Sequence, residues 1–362
     1  MCSGNGNGNK IYAPESKMGF LEWIRLGEYR KVENIIEDAG RLNISRLRTG
    51  FSWADWHRSD AREWFDWMMP TLAEKLDLLP CFTYTPPSIG IESKTSSPPQ
   101  NPNDYALFLQ DIIDRYGEYF NYMELWNEAN NLTDWDWRID SSWMIFSRMI
   151  RKAAETAQKL GKKTVLAGSC PTDLNWLRMM AERGVLDHID IVGIHGFPGT
   201  WEHDWQCWDS HVQRVQDVLK ESAGAPAIWI TEAGYSTWRH DEVRQMQEFI
   251  KVLDAPVERA YWYSLYDLHP EYSHKEGFHV DERHYHFGLK THDGREKLLY
   301  RILENSGFEG VREIADMCPA HIRSDDYAAL SLDQLQAKRQ IERNRGNGSS
   351  NGHKKILITG GA

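Results

Sequence analysis

The sequence predicts an α/β protein built as a (β/α)8 barrel, and two observations favour that fold class. Short apolar runs typical of strands alternate with amphipathic helical patterns through most of the 362 residues. Eight strand-and-helix units fit into one domain of ordinary barrel length. The alternative, an open doubly wound sheet, usually shows an early glycine-rich phosphate loop, and none occurs among these units.

The first half of the chain contains four strand-and-helix units. Each predicted helix repeats apolar residues with the helical period, and each predicted strand is a short apolar run. Pro70 lies inside the second helical pattern, where we expect a kink or a break. The predicted strands are 17–24, 44–50, 78–85 and 122–126, and the predicted helices are 28–42, 60–76, 103–119 and 142–160.

The second half repeats this scheme. Strand patterns alternating with helices imply parallel pairing, because each helix carries the chain back across the sheet. The predicted strands are 163–168, 189–195, 227–231 and 259–264, and the predicted helices are 175–183, 208–222, 241–253 and 297–303.

Four segments define the predicted domain organisation. Residues 1–16 are a Gly/Asn-rich tract expected to be disordered, and residues 17–310 form the barrel. Residues 311–353 are expected to be a linker, with a charged helix over 331–344 followed by a Gly/Asn/Ser stretch.

Residues 354–362 run from an apolar strand pattern into Thr359-Gly360-Gly361-Ala362. This segment resembles the opening of an NAD-dependent epimerase/dehydratase domain, which implies a fused second domain in a longer protein. The alternative is a chance strand and turn. The glycine motif is incomplete, so we predict that the chain as written binds no dinucleotide and uses no cofactor.

Composition excludes several kinds of partner. The net charge of −11 argues against nucleic acid, because phosphate binding needs a basic surface. No run approaches the roughly 18 apolar residues of a membrane span. The five cysteines form no CxxC pair, and the N-terminus has no apolar secretory core, so we expect reduced thiols and a cytoplasmic protein.

Two glutamates follow predicted strands. Glu128 comes just after the fourth strand and Glu232 directly after the seventh. A buried carboxylate is costly without a partner, so two of them at the carboxyl ends of barrel strands indicate a functional pair. Paired carboxylates cleave glycosidic bonds, one protonating the leaving oxygen while the other attacks the sugar. We predict that His195 hydrogen-bonds Glu232 and that Arg48 keeps it ionised.

The two motifs resemble the catalytic strands of clan A glycoside hydrolases. Glu-Leu-Trp-Asn-Glu-Ala-Asn at 124–130 is similar to the acid/base strand, and Trp-Ile-Thr-Glu-Ala-Gly at 229–234 to the nucleophile strand. The branch that resembles them most is the β-xylosidase/iduronidase group. Ala129 departs from the proline common in the clan, which leaves the substrate open. The resemblance implies a retaining mechanism with Glu128 as acid/base and Glu232 as nucleophile, about 5–5.5 Å apart.

Other polar and aromatic residues near the predicted strand ends are candidates for binding a carbohydrate. Asn127 can hydrogen-bond a sugar hydroxyl, and Trp262 can offer a flat apolar face to a sugar ring, although core packing is the alternative for each tryptophan. Glu124 shares the strand face of Glu128 and needs a partner such as Arg46. The predicted substrate-binding residues are Arg48, Trp53, Tyr84, Asn127, His195 and Trp262.

Metal binding and two further functions are alternatives. Five histidines follow the eighth strand, but their spacing matches no compact ligand motif, so we predict no metal. Transglycosylation, or sugar processing beside a fused epimerase, would use the same carboxylates on another acceptor. A non-catalytic carbohydrate-binding barrel is a third hypothesis, which intact carboxylates disfavour. The five histidines that follow the eighth predicted strand are His269, His274, His279, His284 and His286.

Overall fold

Eight parallel strands close into a barrel in sequence order, with the last strand paired to the first. The computed structural model describes residues 17–202, 205–220, 225–272 and 281–318. This closed barrel confirms the predicted fold class. The strands are β1 Met18–Leu21, β2 Arg46–Ser52, β3 Asp77–Thr83, β4 Tyr122–Leu125, β5 Lys163–Leu166, β6 Ile191–Gly196, β7 Ala227–Ala233 and β8 Ala260–Tyr263.

Helices alternate with the strands. In the first helix Val32, Ile35 and Ala39 are buried, a spacing that places them on one helical face. Pro70 lies inside the third helix without ending it, so the expected break is absent there. The helices are α1 Tyr29–Arg41, α2 Trp53–Trp56, α3 Ala61–Ala73, α4 Asn103–Tyr116, α5 Met144–Lys159, α6 Leu174–Glu182, α7 Trp208–Leu219, α8 Glu242–Asp254 and α9 Leu298–Met317.

The barrel interior is filled by side chains from alternate strand positions. One buried cluster joins Leu21, Leu79, Val165 and Trp229 with Tyr261, which come from five different strands. Successive side chains of a strand point to opposite faces, so the residues between these face the helices instead. Each Å² of apolar surface removed from water contributes about 25 cal/mol to stability. Packing on both faces of the strands is therefore the main stabilising contribution.

Two buried charged residues connect the beginning of the barrel to its end. The Lys17 ammonium group donates to the carbonyls of Leu253, at 2.6 Å, and Ala255. Asp38 of α1 accepts hydrogen bonds from the hydroxyls of Tyr266 and Tyr300, each at 2.6 Å. These contacts satisfy charges that would otherwise be costly to bury, and those of Asp38 link α1 to the chain after β8.

The chain divides into two compact units after Ala315. The last predicted helix is longer than expected, since α9 runs to Met317 across an irregular residue, Gly307. The predicted helix at 331–344 and the predicted epimerase start at 354–362 lie outside the described residues. None of the described helices has the length and apolar character that crossing a membrane requires.

The cysteines depart in part from the expectation of reduced thiols. Cys81, Cys170 and Cys318 are free. Cys207, by contrast, is disulfide-bonded. Cysteine number and spacing alone therefore did not give the redox state of every thiol.

Candidate active site

A cavity of about 1250 Å³ opens at the carboxyl ends of the strands. Its lining includes Thr83 from the end of β3, Glu232 from β7 and Tyr263 from β8, and Glu128 from the turn after β4. Carboxyl ends of barrel strands carry the active sites of essentially all enzymes with this fold. The cavity therefore lies where a catalytic site is expected.

Arg48 of β2 lies beneath this cavity and is fully buried. Its Nε donates to Glu124 Oε2 at 2.5 Å, Nη1 donates to Glu232 Oε2 at 3.0 Å, and Nη2 donates to Asn127 Oδ1 at 2.8 Å. One guanidinium thus holds side chains from β4, from the turn after β4, and from β7. A planar group with fixed donors suits this role better than a lysine would.

The partner of Glu124 is a correction to the sequence prediction, which suggested Arg46. Arg46 instead pairs with Asp77 at 3.3 Å. Both arginines lie on β2, but Arg46 is at its amino end, next to the first residue of β3. Arg48 lies two residues further along and reaches the carboxylates near the cavity.

Glu128 follows a sharp change of chain direction at the end of β4. Trp126 adopts a positive φ of 74°, a conformation uncommon for a residue with a side chain. Oε1 of Glu128 then lies 2.8 Å from His195 Nδ1. Burial raises the pKa of Glu128 to about 7, so this carboxyl can hold a proton near neutral pH.

His195 contacts Glu128 rather than Glu232. The sequence interpretation paired it with Glu232, but its Nδ1 is 4.0 Å from Glu232 Oε2, which exceeds a hydrogen bond. Burial lowers the pKa of His195 to about 4, so the imidazole is neutral at neutral pH. Nε2 is buried with no hydrogen-bond partner among the described residues. We therefore place the ring proton on Nδ1, where it is donated to Glu128.

Glu232 is 7% exposed and opens to the cavity. Burial raises its pKa to about 7, while the positive charge of Arg48 opposes that shift. The direct contact with Arg48 stabilises the ionised form of Glu232. The two glutamates therefore differ in their nearest partner: a guanidinium for Glu232 and a neutral imidazole for Glu128.

The two carboxylates lie close together. One ligand atom from each of Glu128, His195 and Glu232 lies within 4.8 Å of the others. These atom types can also bind a metal ion. An ion here would have to compete with the Arg48–Glu232 ion pair and with the hydrogen bond between His195 and Glu128.

The structure brings six of the eight predicted site residues together. Asn127, Glu128, Glu232 and Tyr84 line the cavity, and Arg48 and His195 hydrogen-bond the first three of these from below. The amide of Asn127 also donates to Asp134 Oδ2 at 2.7 Å, which fixes its orientation. Backbone turning at Tyr84, with φ of 70°, directs the chain towards the cavity.

Trp53 and Trp262 are corrections, because neither is among the residues that line the cavity. Trp53 begins α2 and packs on Phe108, with 5.6 Å between ring centroids. Trp262 packs against Phe249 of α8 at 5.2 Å. Alternation along β8 explains the second case: Tyr263 faces the cavity, so its neighbour faces the helices.

The sequence prediction missed several aromatic residues of the cavity, among them Tyr263, Trp201 and Trp23. Tyr263 could have been found by applying strand alternation to β8. Trp201, in the segment after β6, packs on Phe197 with ring centroids 4.7 Å apart. Trp23, just after β1, lies against the Arg48 guanidinium, with Cζ 5.4 Å from the ring centroid. No local pattern distinguishes these tryptophans from core residues.

No protein-family model matches the chain, and no curated protein sequence matches it. Solved structures do match in three dimensions. A family 39 glycoside hydrolase from Bacteroides cellulosilyticus WH2 aligns with a TM-score of 0.60 at 14% identity, over 83% of this chain and 66% of that one. The exo-β-1,4-mannosidase Op5Man5 from Opitutaceae bacterium strain TAV5 gives 0.60 at 14% identity, over 83% and 60%.

A third match is the β-glucuronidase of Faecalibacterium prausnitzii, with a TM-score of 0.51 at 16% identity over 87% of this chain and 51% of that one. The chain thus spans less than two thirds of each of these three proteins. It shares the (β/α)8 barrel fold of these three proteins. The matches give no support for the predicted fused epimerase domain.

The position of Trp23 depends on Gly50 and can be tested there. A Cβ at Gly50 would lie 2.3 Å from Trp23 Cε3, so the Gly50→Ala variant must displace the ring. We expect the free energy of unfolding to fall by about 1–3 kcal/mol, as in other overpacked sites. Urea denaturation followed by circular dichroism measures this change.

Gly40→Ala is the matched control. An added Cβ there meets no heavy atom within 4 Å, and the residue lies in α1. Alanine should stabilise that helix by about 0.5–1 kcal/mol. Equal stability of the two variants would contradict the packing of Trp23 on Gly50.

Proposed function

We propose that this chain is a retaining glycoside hydrolase, with Glu128 as acid/base and Glu232 as nucleophile. The observation that carries the proposal is the buried carboxylate pair at the barrel mouth, with a ligand atom of each within 4.8 Å of the other. Retaining enzymes hold their carboxyl groups about 5–5.5 Å apart, whereas inverting enzymes need about 6.5–9.5 Å to admit a water. The barrel fold that the chain shares with solved glycoside hydrolases also supports the proposed function.

The roles follow from the different partners of the two glutamates. Arg48 favours an ionised Glu232, which can attack the anomeric carbon. Among the described residues, Glu128 hydrogen-bonds Asn131 and the neutral imidazole of His195 but no cation, so it holds a proton more readily than Glu232. As Glu232 forms the new bond to C1, the bond from C1 to the leaving oxygen breaks, and Glu128 transfers its proton to that oxygen.

The second step reverses the role of Glu128. The leaving group departs, and water takes its place beside the now ionised carboxylate. Glu128 removes a proton from the water as its oxygen attacks C1, and the ester bond to Glu232 breaks. His195 donates to Glu128 Oε1, which leaves Oε2 to carry the transferred proton. The β-xylosidase-like specificity and the cytoplasmic location remain predictions.

Two substitutions test these roles. Glu232→Gln should abolish turnover of every glycoside, because no nucleophile remains. Glu128→Ala should lower kcat about 10²–10⁴-fold on a substrate with a poor leaving group. It should retain much of its activity on a 2,4-dinitrophenyl glycoside, whose leaving group needs no protonation. Steady-state rates on both substrates measure the difference.

Glu202→Gln is the matched control. Burial also raises the pKa of Glu202 to about 7, but this residue is not among those that line the cavity. We expect it to keep most of the activity. Full activity in Glu232→Gln, or equal losses on both substrates in Glu128→Ala, would show that the roles are assigned incorrectly.

The pH profile of kcat/KM should be bell-shaped with an optimum near neutral pH. Both carboxyl pKa values are raised to about 7 by burial, and the active form of the pair holds one proton. At lower pH Glu232 becomes protonated and cannot attack. At higher pH Glu128 loses its proton and cannot assist the leaving group.

With a 2,4-dinitrophenyl glycoside, the fall of kcat/KM at high pH should be smaller, because the first chemical step then needs no general acid. Initial rates across the pH range with both substrate types provide the measurement. A profile that stays flat through neutral pH with the poor leaving group would contradict the proposed pair.

A further inference from the structure

Two lysines that line the cavity already have carboxylate partners. Lys31 Nζ lies 2.9 Å from Glu22 Oε2. Lys290 Nζ lies 3.1 Å from both carboxylate oxygens of Asp38. In each pair the carboxylate is almost completely buried. These two cations are therefore held in place and partly neutralised before a ligand arrives.

The arginines of the described cavity lining are also engaged. Arg30 pairs with Glu33 at 2.9 Å, and Arg58 with Asp60 at 3.0 Å. Arg25 is not free either. Three histidines are the remaining basic side chains of the described lining. These histidines are His269, His284 and His292.

Negative charge exceeds positive charge at the reaction centre. Arg48 is shared by Glu124 and Glu232, and Glu128 lies beside them. Glu22 also reaches the cavity, where its Oε1 accepts from the backbone N–H groups of Leu265 and Tyr266 at 2.8 Å. A carboxylate on a bound sugar would approach these acids and be repelled by them. Proteins normally recognise a carboxylate with an arginine whose guanidinium donors point at the ligand.

We propose that the cavity selects glycosides of neutral sugars and discriminates against uronides, the sugars that carry a carboxylate on C5. This inference rests on the proposed glycosidase function and adds the charge class of the substrate. It separates this chain from the β-glucuronidase among its structural neighbours, with which it shares the barrel fold. Like charges that approach within a protein site repel one another strongly, so we expect discrimination on the order of 100-fold.

The experiment compares three aryl glycosides that differ only at C5: hydroxymethyl, carboxylate and carboxamide. The carboxamide matches the carboxylate in size and shape but has no charge. The gluco, galacto and manno series are all measured, since the configuration is not part of the proposal. In the series that turns over best, kcat/KM for the carboxylate should be lower than for the carboxamide by on the order of 100-fold.

A carboxylate that is hydrolysed as well as its carboxamide, or better, would overturn the inference and leave the glycosidase proposal intact. Absence of turnover on every compound would instead count against the proposed function. Calorimetric binding of the corresponding thioglycosides, which resist hydrolysis, to the unmodified protein tests the charge preference without turnover. Weaker binding of the carboxylate than of the carboxamide supports it, and equal or tighter binding contradicts it.

The Glu22→Gln variant tests whether the paired cations set this charge preference. The glutamine oxygen can still accept from Leu265 and Tyr266, but Lys31 loses its negative partner. The carboxylate-to-carboxamide ratio of kcat/KM should therefore rise several-fold above that of the unmodified protein. An unchanged ratio would show that the paired cations do not set the preference.

Discussion

The buried guanidinium of Arg48 is the interaction on which the site depends. It joins Glu124, Asn127 and Glu232 from three positions around the barrel mouth. A buried ionised carboxylate is stabilised by such a partner, and a buried arginine needs acceptors for its donors. The charges therefore stabilise one another, and the geometry of the carboxylate pair follows from the position of one side chain on β2.

In the proposed mechanism, the same contact divides the chemistry between the two glutamates. Burial acts on both and raises both pKa values, so it cannot distinguish them. The difference comes from the neighbours, because a cation touches Glu232 and a neutral imidazole touches Glu128. A pair that keeps one proton near neutral pH can supply an acid and a nucleophile together.

Sequence patterns predicted the barrel, its strand order and the placement of both glutamates, because alternation and strand-end position are local signals. They failed where the answer depends on which way a side chain points. The sequence suggests Trp262 as a platform for a sugar ring, but Tyr263 is the residue of β8 that faces the cavity. His195 was paired with Glu232, although its ring reaches Glu128, a contact between residues 67 positions apart in the chain.

Trapping the intermediate tests the central claim most directly. The protein would be treated with a 2-deoxy-2-fluoro glycoside bearing a 2,4-dinitrophenyl leaving group, which slows the second step more than the first. Digestion and tandem mass spectrometry would then locate the label. We predict one sugar attached through an ester to Glu232. A label on another residue, or turnover with inversion at the anomeric carbon and no label, would contradict it.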